Sequence, residues 1–124
     1  MLIKPLRKSF RLAKKECSKN TTHRIKVGAV ITKSGNTLAT GHNVAKTHPA
    51  IGTYYLHAEM SAILSARKHD LHGATIWVYR ETADGMPAMA KPCSECMKLI
   101  VEVGITDVYY TCSEFPYFDI IKVR

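Results

Sequence analysis

His57, Cys93 and Cys96 are the residues of this 124-residue chain whose types and spacing could do chemistry. The cysteines stand in Pro92-Cys93-Ser94-Glu95-Cys96, and the histidine opens His57-Ala58-Glu59. One imidazole and two thiolates in a C-x-x-C pair suit zinc. Three protein ligands are one short of a closed tetrahedron, and an open position held by water marks a catalytic metal rather than a structural one. Glu59 follows the histidine by two residues. It is a poor candidate for a fourth ligand and a good one for a proton carrier beside a metal-held water.

Ligands of this kind need rigid supports. Residues 57–69 are predicted as a helix, with Met60, Ile63, Leu64 and Arg67 at i, i+3, i+4 and i+7. Ala58, Ala62 and Ala66 add a second, close-packing row, and His57 falls in the first turn. Residues 93–103 are predicted as another helix, with Cys96, Leu99, Ile100 and Val103 on one face. Cys93 and Cys96 are then one turn apart, so both sulfurs reach one ion. A helix N-terminus favours their thiolates. Gly104 is suited to cap that helix.

The remaining elements form the platform. Residues 4–19 read as a helix with Leu6, Phe10, Ala13 and Cys17 in one stripe and lysines and arginines around the rest. That basic surface is either a solvated face laid on a sheet or a strip that contacts phosphate. Residues 25–32 and 37–41 read as a hairpin around Lys33-Ser34-Gly35-Asn36, where Gly35 and Asn36 tolerate positive φ. Gly28 and Ala29 allow close approach of a helix or a ligand. Residues 42–56 lack periodicity and read as a loop, in which Tyr54 or Tyr55 could stack on a base or fill the core. Residues 74–79 are almost continuously apolar, the pattern of a central strand. Residues 80–91 are expected to form a long loop or extended hairpin around Asp84-Gly85, its Met86-Pro87-Ala88-Met89 stretch serving as a rim or lid. Residues 107–112 read as a strand and 117–123 as the last one. Only Ser113-Glu114-Phe115-Pro116 joins them, too short for the crossover a parallel pair needs, so if the last strand pairs with residues 107–112 it must do so antiparallel.

The order H-x-E, a gap, then P-C-x-x-C is similar to the signature of the zinc-dependent nucleobase deaminases. With Val27-Gly28-Ala29-Val30-Ile31, Gly41-His42-Asn43 and His57-Ala58-Glu59-Met60-Ser61-Ala62-Ile63, the chain resembles the cytidine and deoxycytidylate deaminase superfamily over roughly residues 24 to 111. The expected architecture is an α/β, three-layer α/β/α sandwich of the cytidine deaminase-like type, formed by residues 1–124 as one domain. Its mixed sheet has four or five strands, with the two metal helices on one face and the basic helix on the other. The resemblance implies one zinc held by His57, Cys93 and Cys96, catalysis by Glu59, substrate contacts at Asn43 and Ala58, and a homo-oligomer. From its residue type alone, Asn43 could equally stabilise its own turn. The chain departs from relatives with a short Glu-Pro-Cys approach, having Ala90-Lys91-Pro92-Cys93 instead.

The implied reaction is hydrolytic deamination of a cytosine-type base in a free nucleoside or nucleotide, cytidine, deoxycytidine or dCMP-like. Zinc lowers the pKa of water from about 15.7 towards 7, the hydroxide attacks C4, and Glu59 shuttles the proton to the ring nitrogen and then to the leaving amine. An antiparallel last strand resembles the free-nucleoside deaminases, whereas a histidine as first ligand resembles the deoxycytidylate and nucleic-acid branches. One alternative is therefore a deaminase acting on a base in RNA or single-stranded DNA. Another is a non-catalytic structural zinc module, closed by Cys112 or a spare histidine. The net charge of +8 favours anionic partners without choosing among them. No apolar run approaches the roughly 18 residues of a membrane span. The four cysteines, two of them assigned to metal, suit a reducing, cytoplasmic location. Arg80 and Lys91 read either as phosphate contacts or as exposed charges.

Overall fold

The structure, a computed structural model, describes residues 8–19, 26–48 and 52–123. Its elements are α1 (Lys8–Ser18), β1 (Val27–Lys33), β2 (Asn36–His42), β3 (Val44–His48), β4 (Gly52–Leu56), α2 (Ala58–Ser65), β5 (Thr75–Arg80), α3 (Ser94–Glu102), β6 (Asp107–Thr111) and β7 (Phe118–Lys122). Five strands form one sheet in the order β2-β1-β5-β6-β7. β5 and β6 run parallel, joined through α3, and the other neighbours are antiparallel. The last strand pairs antiparallel with β6, as the short connection requires.

Side-chain alternation along β1 and β5 sorts the layers. Ala29, Ile31, Ile76 and Val78 join a cluster with Ala58, Ala62 and Ile63 of α2 and Ile100 of α3. Val30, Trp77 and Tyr79 point the other way, into a cluster with Phe10, Ala13 and Cys17 of α1. The basic helix and the two helices that carry the metal motifs thus lie on opposite faces, giving the three layers expected. Phe10 meets Trp77 edge-on at 5.3 Å, and Trp77 stacks on Tyr109 at 4.2 Å.

Two glycines set how closely the helices lie. A Cβ on Gly28 would strike the carbonyl of Ala13 and stand 2.6 Å from the Cys17 nitrogen, so α1 rests on bare strand backbone. At Gly41 of β2 a Cβ would strike the Ala62 nitrogen and come within 2.8 Å of the Ala58 carbonyl. This contact explains which face of α2 is buried. The small row Ala58, Ala62 and Ala66 faces inward with Ile63, while Leu64, expected in the apolar stripe, is 48% exposed.

Other expectations are corrected. Residues 42–56 are not a loop but contain the ladder of β3 with β4, from Val44↔Leu56 to His48↔Gly52. The pairing there follows backbone hydrogen bonding in a separate two-stranded ribbon, which leaves no alternation in the sequence to read. In the β1–β2 hairpin the positive φ values fall on Ser34 and Gly35, not on Asn36, which pairs with Lys33 to close a two-residue turn. The first helix begins at Lys8 among the described residues, and α2 is shorter than expected, ending at Ser65. Residues 4–7 and the side chains of His48, Tyr54 and Tyr55 lie outside the described residues. No helix among those described is long and apolar enough to cross a membrane.

Glu16 is buried on α1, a polar position in an otherwise apolar stripe. It takes His42 Nδ1 at 2.8 Å and Lys19 Nζ at 3.1 Å. Burial pushes its carboxyl up, but these partners outweigh it and hold the group below its ordinary 4.5. A folded value below the unfolded one gives stability that is complete above the unfolded value and lost as pH falls through the folded one. The difference in urea midpoint between wild type and Glu16→Gln is therefore expected to be full at neutral pH and to shrink as pH falls below 4.5, the ordinary carboxyl value. Gly28→Ala is expected to destabilise the protein by about 1–3 kcal/mol, read as a lower urea midpoint at unchanged slope.

Candidate active site

Both metal motifs sit where a helix begins. His57 is the N-cap of α2, with φ −67° and ψ 156°, and Cys93 is the N-cap of α3, with φ −69° and ψ 171°. The sequence pattern placed both inside the first turn; their extended backbone instead sets them one step outside. Neither side chain makes a capping hydrogen bond. Both are directed at a common centre. His57 Nδ1 lies 3.3 Å from Cys96 Sγ and 3.6 Å from Cys93 Sγ. The three donor atoms lie within 4.8 Å of one another, a set that could hold a metal ion. Among the described residues neither Cys112 nor a second histidine joins it.

The electrostatics of this cluster call for a cation. Burial, then the nearby Glu59 and Cys93, pushes the Cys96 thiol far above its ordinary value, outweighing the helix N-terminus expected to favour the thiolate. A divalent ion among these donors supplies the charge that such a thiolate needs. Burial likewise raises the Glu59 carboxyl, against its own backbone N–H and the charge of His57, which lower it. With 6% of its surface exposed, Glu59 is a nearly dry acid beside the donor set.

A pocket of about 400 Å³ opens onto these groups. His57, Glu59 and Cys93 line it, as do Asn43 and Ala58, the two substrate contacts expected from sequence. Val27, Leu56, Met89 and Ala90 add apolar wall, and Arg80 and Lys91 are its remaining cations. The Asn43 side chain is pinned rather than loose. Val27 N–H donates to Asn43 Oδ1 at 3.0 Å, and Asn43 N–H donates to the Val27 carbonyl at 3.3 Å. The anchored residue also lines the pocket.

The segment from Arg80 to Lys91 forms the rim its apolar body suggested. It turns at Gly85 and bridges back at Glu81↔Pro87. Ala88 N–H donates to the Arg80 carbonyl at 2.8 Å and Ala90 N–H to the Thr111 carbonyl at 2.9 Å. Thr111, fully buried at the end of β6, closes the structure. Its hydroxyl accepts from Arg80 N–H at 3.1 Å and donates to the Ala88 carbonyl at 2.8 Å. Sequence reasoning missed this residue; the available signal was a hydroxyl at the end of a strand beside a long loop.

The chain is similar to known proteins. The model of the cytidine and deoxycytidylate deaminase zinc-binding region matches residues 4–112. The deoxycytidylate deaminase of Mycobacterium phage D29 is 30% identical over 122 residues, covering 80% of this chain and 88% of the phage protein. The dCMP deaminase of cyanophage S-TIM5, solved with dCMP and dUMP, superposes with a TM-score of 0.66 at 25% identity, over 83% of this chain and 77% of that one. The cytidine deaminase of Burkholderia pseudomallei shares the fold, with a TM-score of 0.69 at 24% identity over 92% of this chain and 89% of that one. Fold and donor set define a zinc-dependent α/β deaminase. The chain belongs to the cytidine and deoxycytidylate deaminase family.

Thr111→Val removes the hydroxyl and leaves the Arg80 N–H and the Ala88 carbonyl without that partner. A loss of about 1–3 kcal/mol is expected from urea unfolding, since the bond being broken is shielded from water.

Proposed function

We propose that this protein catalyses hydrolytic deamination of the cytosine ring in a free nucleotide of the dCMP class, exchanging the C4 amine for oxygen and releasing ammonia. The observation that carries the reading is the convergence of His57, Cys93 and Cys96 beside the buried Glu59 in one pocket. The similarity to deoxycytidylate deaminases supports the choice of base and of a nucleotide.

His57, Cys93 and Cys96 would hold zinc, leaving one position open. Bound zinc supplies Lewis acidity, which brings the pKa of water from about 15.7 towards 7. Glu59 does the proton work. Its carboxylate takes a proton from the attacking water, holds it in a site where burial favours the protonated form, and delivers it to the ring nitrogen. It then helps protonate the departing amine. Ala58 keeps the wall next to Glu59 small and dry, and the anchored Asn43 offers a fixed amide to the sugar or the base edge.

The alternative of RNA or single-stranded DNA drew on the basic first helix and on the Tyr and Phe residues. α1 packs on the sheet face opposite α2 and α3, and none of its described charges lines the pocket. A structural zinc module needs a fourth protein donor, and Cys112 instead directs Sγ towards the Glu114 carbonyl at 3.5 Å.

Replacing Glu59 with Ala is expected to lower turnover of dCMP by at least roughly 10²–10⁴-fold while zinc content stays unchanged. Ammonia release and metal analysis on the same sample check this; loss of zinc together with activity would make Glu59 a ligand and refute the assignment. Cys112→Ser is expected to keep both zinc and turnover.

A further inference from the structure

We propose that Arg80 and Lys91 form an anion subsite that receives the terminal phosphate of a mononucleotide substrate. The inference rests on the deaminase reading for the base and assigns the other half of the substrate.

Arg80 ends β5 directly opposite Val27 of β1, and Val27 is bonded both ways to Asn43 at the end of β2. Asn43, Val27 and Arg80 therefore form one row across three adjacent strands, and all three line the pocket. Lys91 reaches the same pocket from the far end of the rim, two residues before Cys93. The Arg80 guanidinium donates from Nη1 to the Met89 carbonyl at 3.2 Å. That single bond fixes the group and leaves most of its five N–H donors for a ligand.

Charge at the site singles out this pair. Lys19, Lys33, Lys98 and Lys122 each have a carboxylate partner. Of the described lysines and arginines, Arg80 and Lys91 are the two that line the pocket, and no carboxylate pairs with either. Glu81, adjacent to Arg80, accepts the Tyr79 hydroxyl at 2.7 Å. Two thiolates neutralise a divalent ion, so the metal end contributes no net positive charge. The excess positive charge of the pocket therefore rests on Arg80 and Lys91. Val27, Leu56, Ala58, Met89 and Ala90 give the pocket mostly apolar lining with no charged donor. A guanidinium fork with an ammonium beside it matches a phosphomonoester, which offers several oxygens and close to two charges.

The test is a set of calorimetric titrations on zinc-loaded protein carrying Glu59→Ala, which prevents turnover. The probes are dCMP, deoxycytidine, inorganic phosphate and a cytosine-containing oligonucleotide lacking terminal phosphate. dCMP is expected to bind at least about tenfold more tightly than deoxycytidine, and Arg80→Gln and Lys91→Gln are each expected to remove about tenfold of that advantage. Inorganic phosphate should compete with dCMP, and Arg80→Lys should recover part of the loss. Circular dichroism and zinc content establish that each variant is folded. If Arg80→Gln fails to fold, Lys91→Gln and Arg80→Lys carry the test. Equal affinity for dCMP and deoxycytidine, or an advantage untouched by both substitutions, overturns the subsite. So does a loss confined to the oligonucleotide. Ammonia release by the wild type is scored separately. Absence of turnover with phosphate-dependent binding intact would remove the deaminase reading and uphold the subsite. Turnover with phosphate-independent binding would do the reverse.

Discussion

The backbone of α2 lies against the backbone of β2 with no side chain between them at Gly41, and the position of the site follows from that contact. Ala62 and Ala58 are small enough to let the helix settle there. Because a helix is rigid, its depth on the sheet fixes where its first turn ends up. His57, capping that turn, then meets the two cysteines of α3, and Glu59 is carried below the surface beside them. A bulkier residue at Gly41 would lift the helix and displace the histidine and the acid together.

Burial and charge then cooperate at the centre. Each group in the cluster is unfavourable alone: a shielded thiol that resists ionisation, a second sulfur, and a carboxyl in a dry setting. The zinc for which this family is named would make the sulfurs favourable as thiolates. His57 and Cys93 stand at the N-termini of α2 and α3, ends that favour negative charge.

Much of this was legible in the sequence because it rests on local rules. The donor set is visible as residue types at fixed spacing. The antiparallel direction of β7 follows from the length of one connection. The apolar run at 74–79 marks a strand covered on both faces. What escaped reading depends on contacts between distant segments. Leu64 is turned outward because the small row of α2 is the one that fits Gly41, and helical periodicity alone cannot rank two competing faces. The β3–β4 ribbon went unread because its pairing is satisfied by backbone bonds without an apolar alternation. Glu16 and Thr111 are polar residues inside, each placed by partners many positions away. The exact caps also escaped, since a helix written into the sequence by its buried stripe does not announce its first residue.

The stapling of the rim has a consequence for how this chain could vary. Hydrogen bonds at Arg80, Ala88 and Ala90 tie both feet of the excursion to β5 and β6. The turn between those feet is then a closed appendix, mechanically insulated from the strand on one side and from Pro92 and Cys93 on the other. Lengthening such a turn costs only slowly increasing loop entropy. Residues 82–87 can thus drift in length and composition while the groups that flank them keep their places, which lets the approach to the pocket evolve independently of its chemistry.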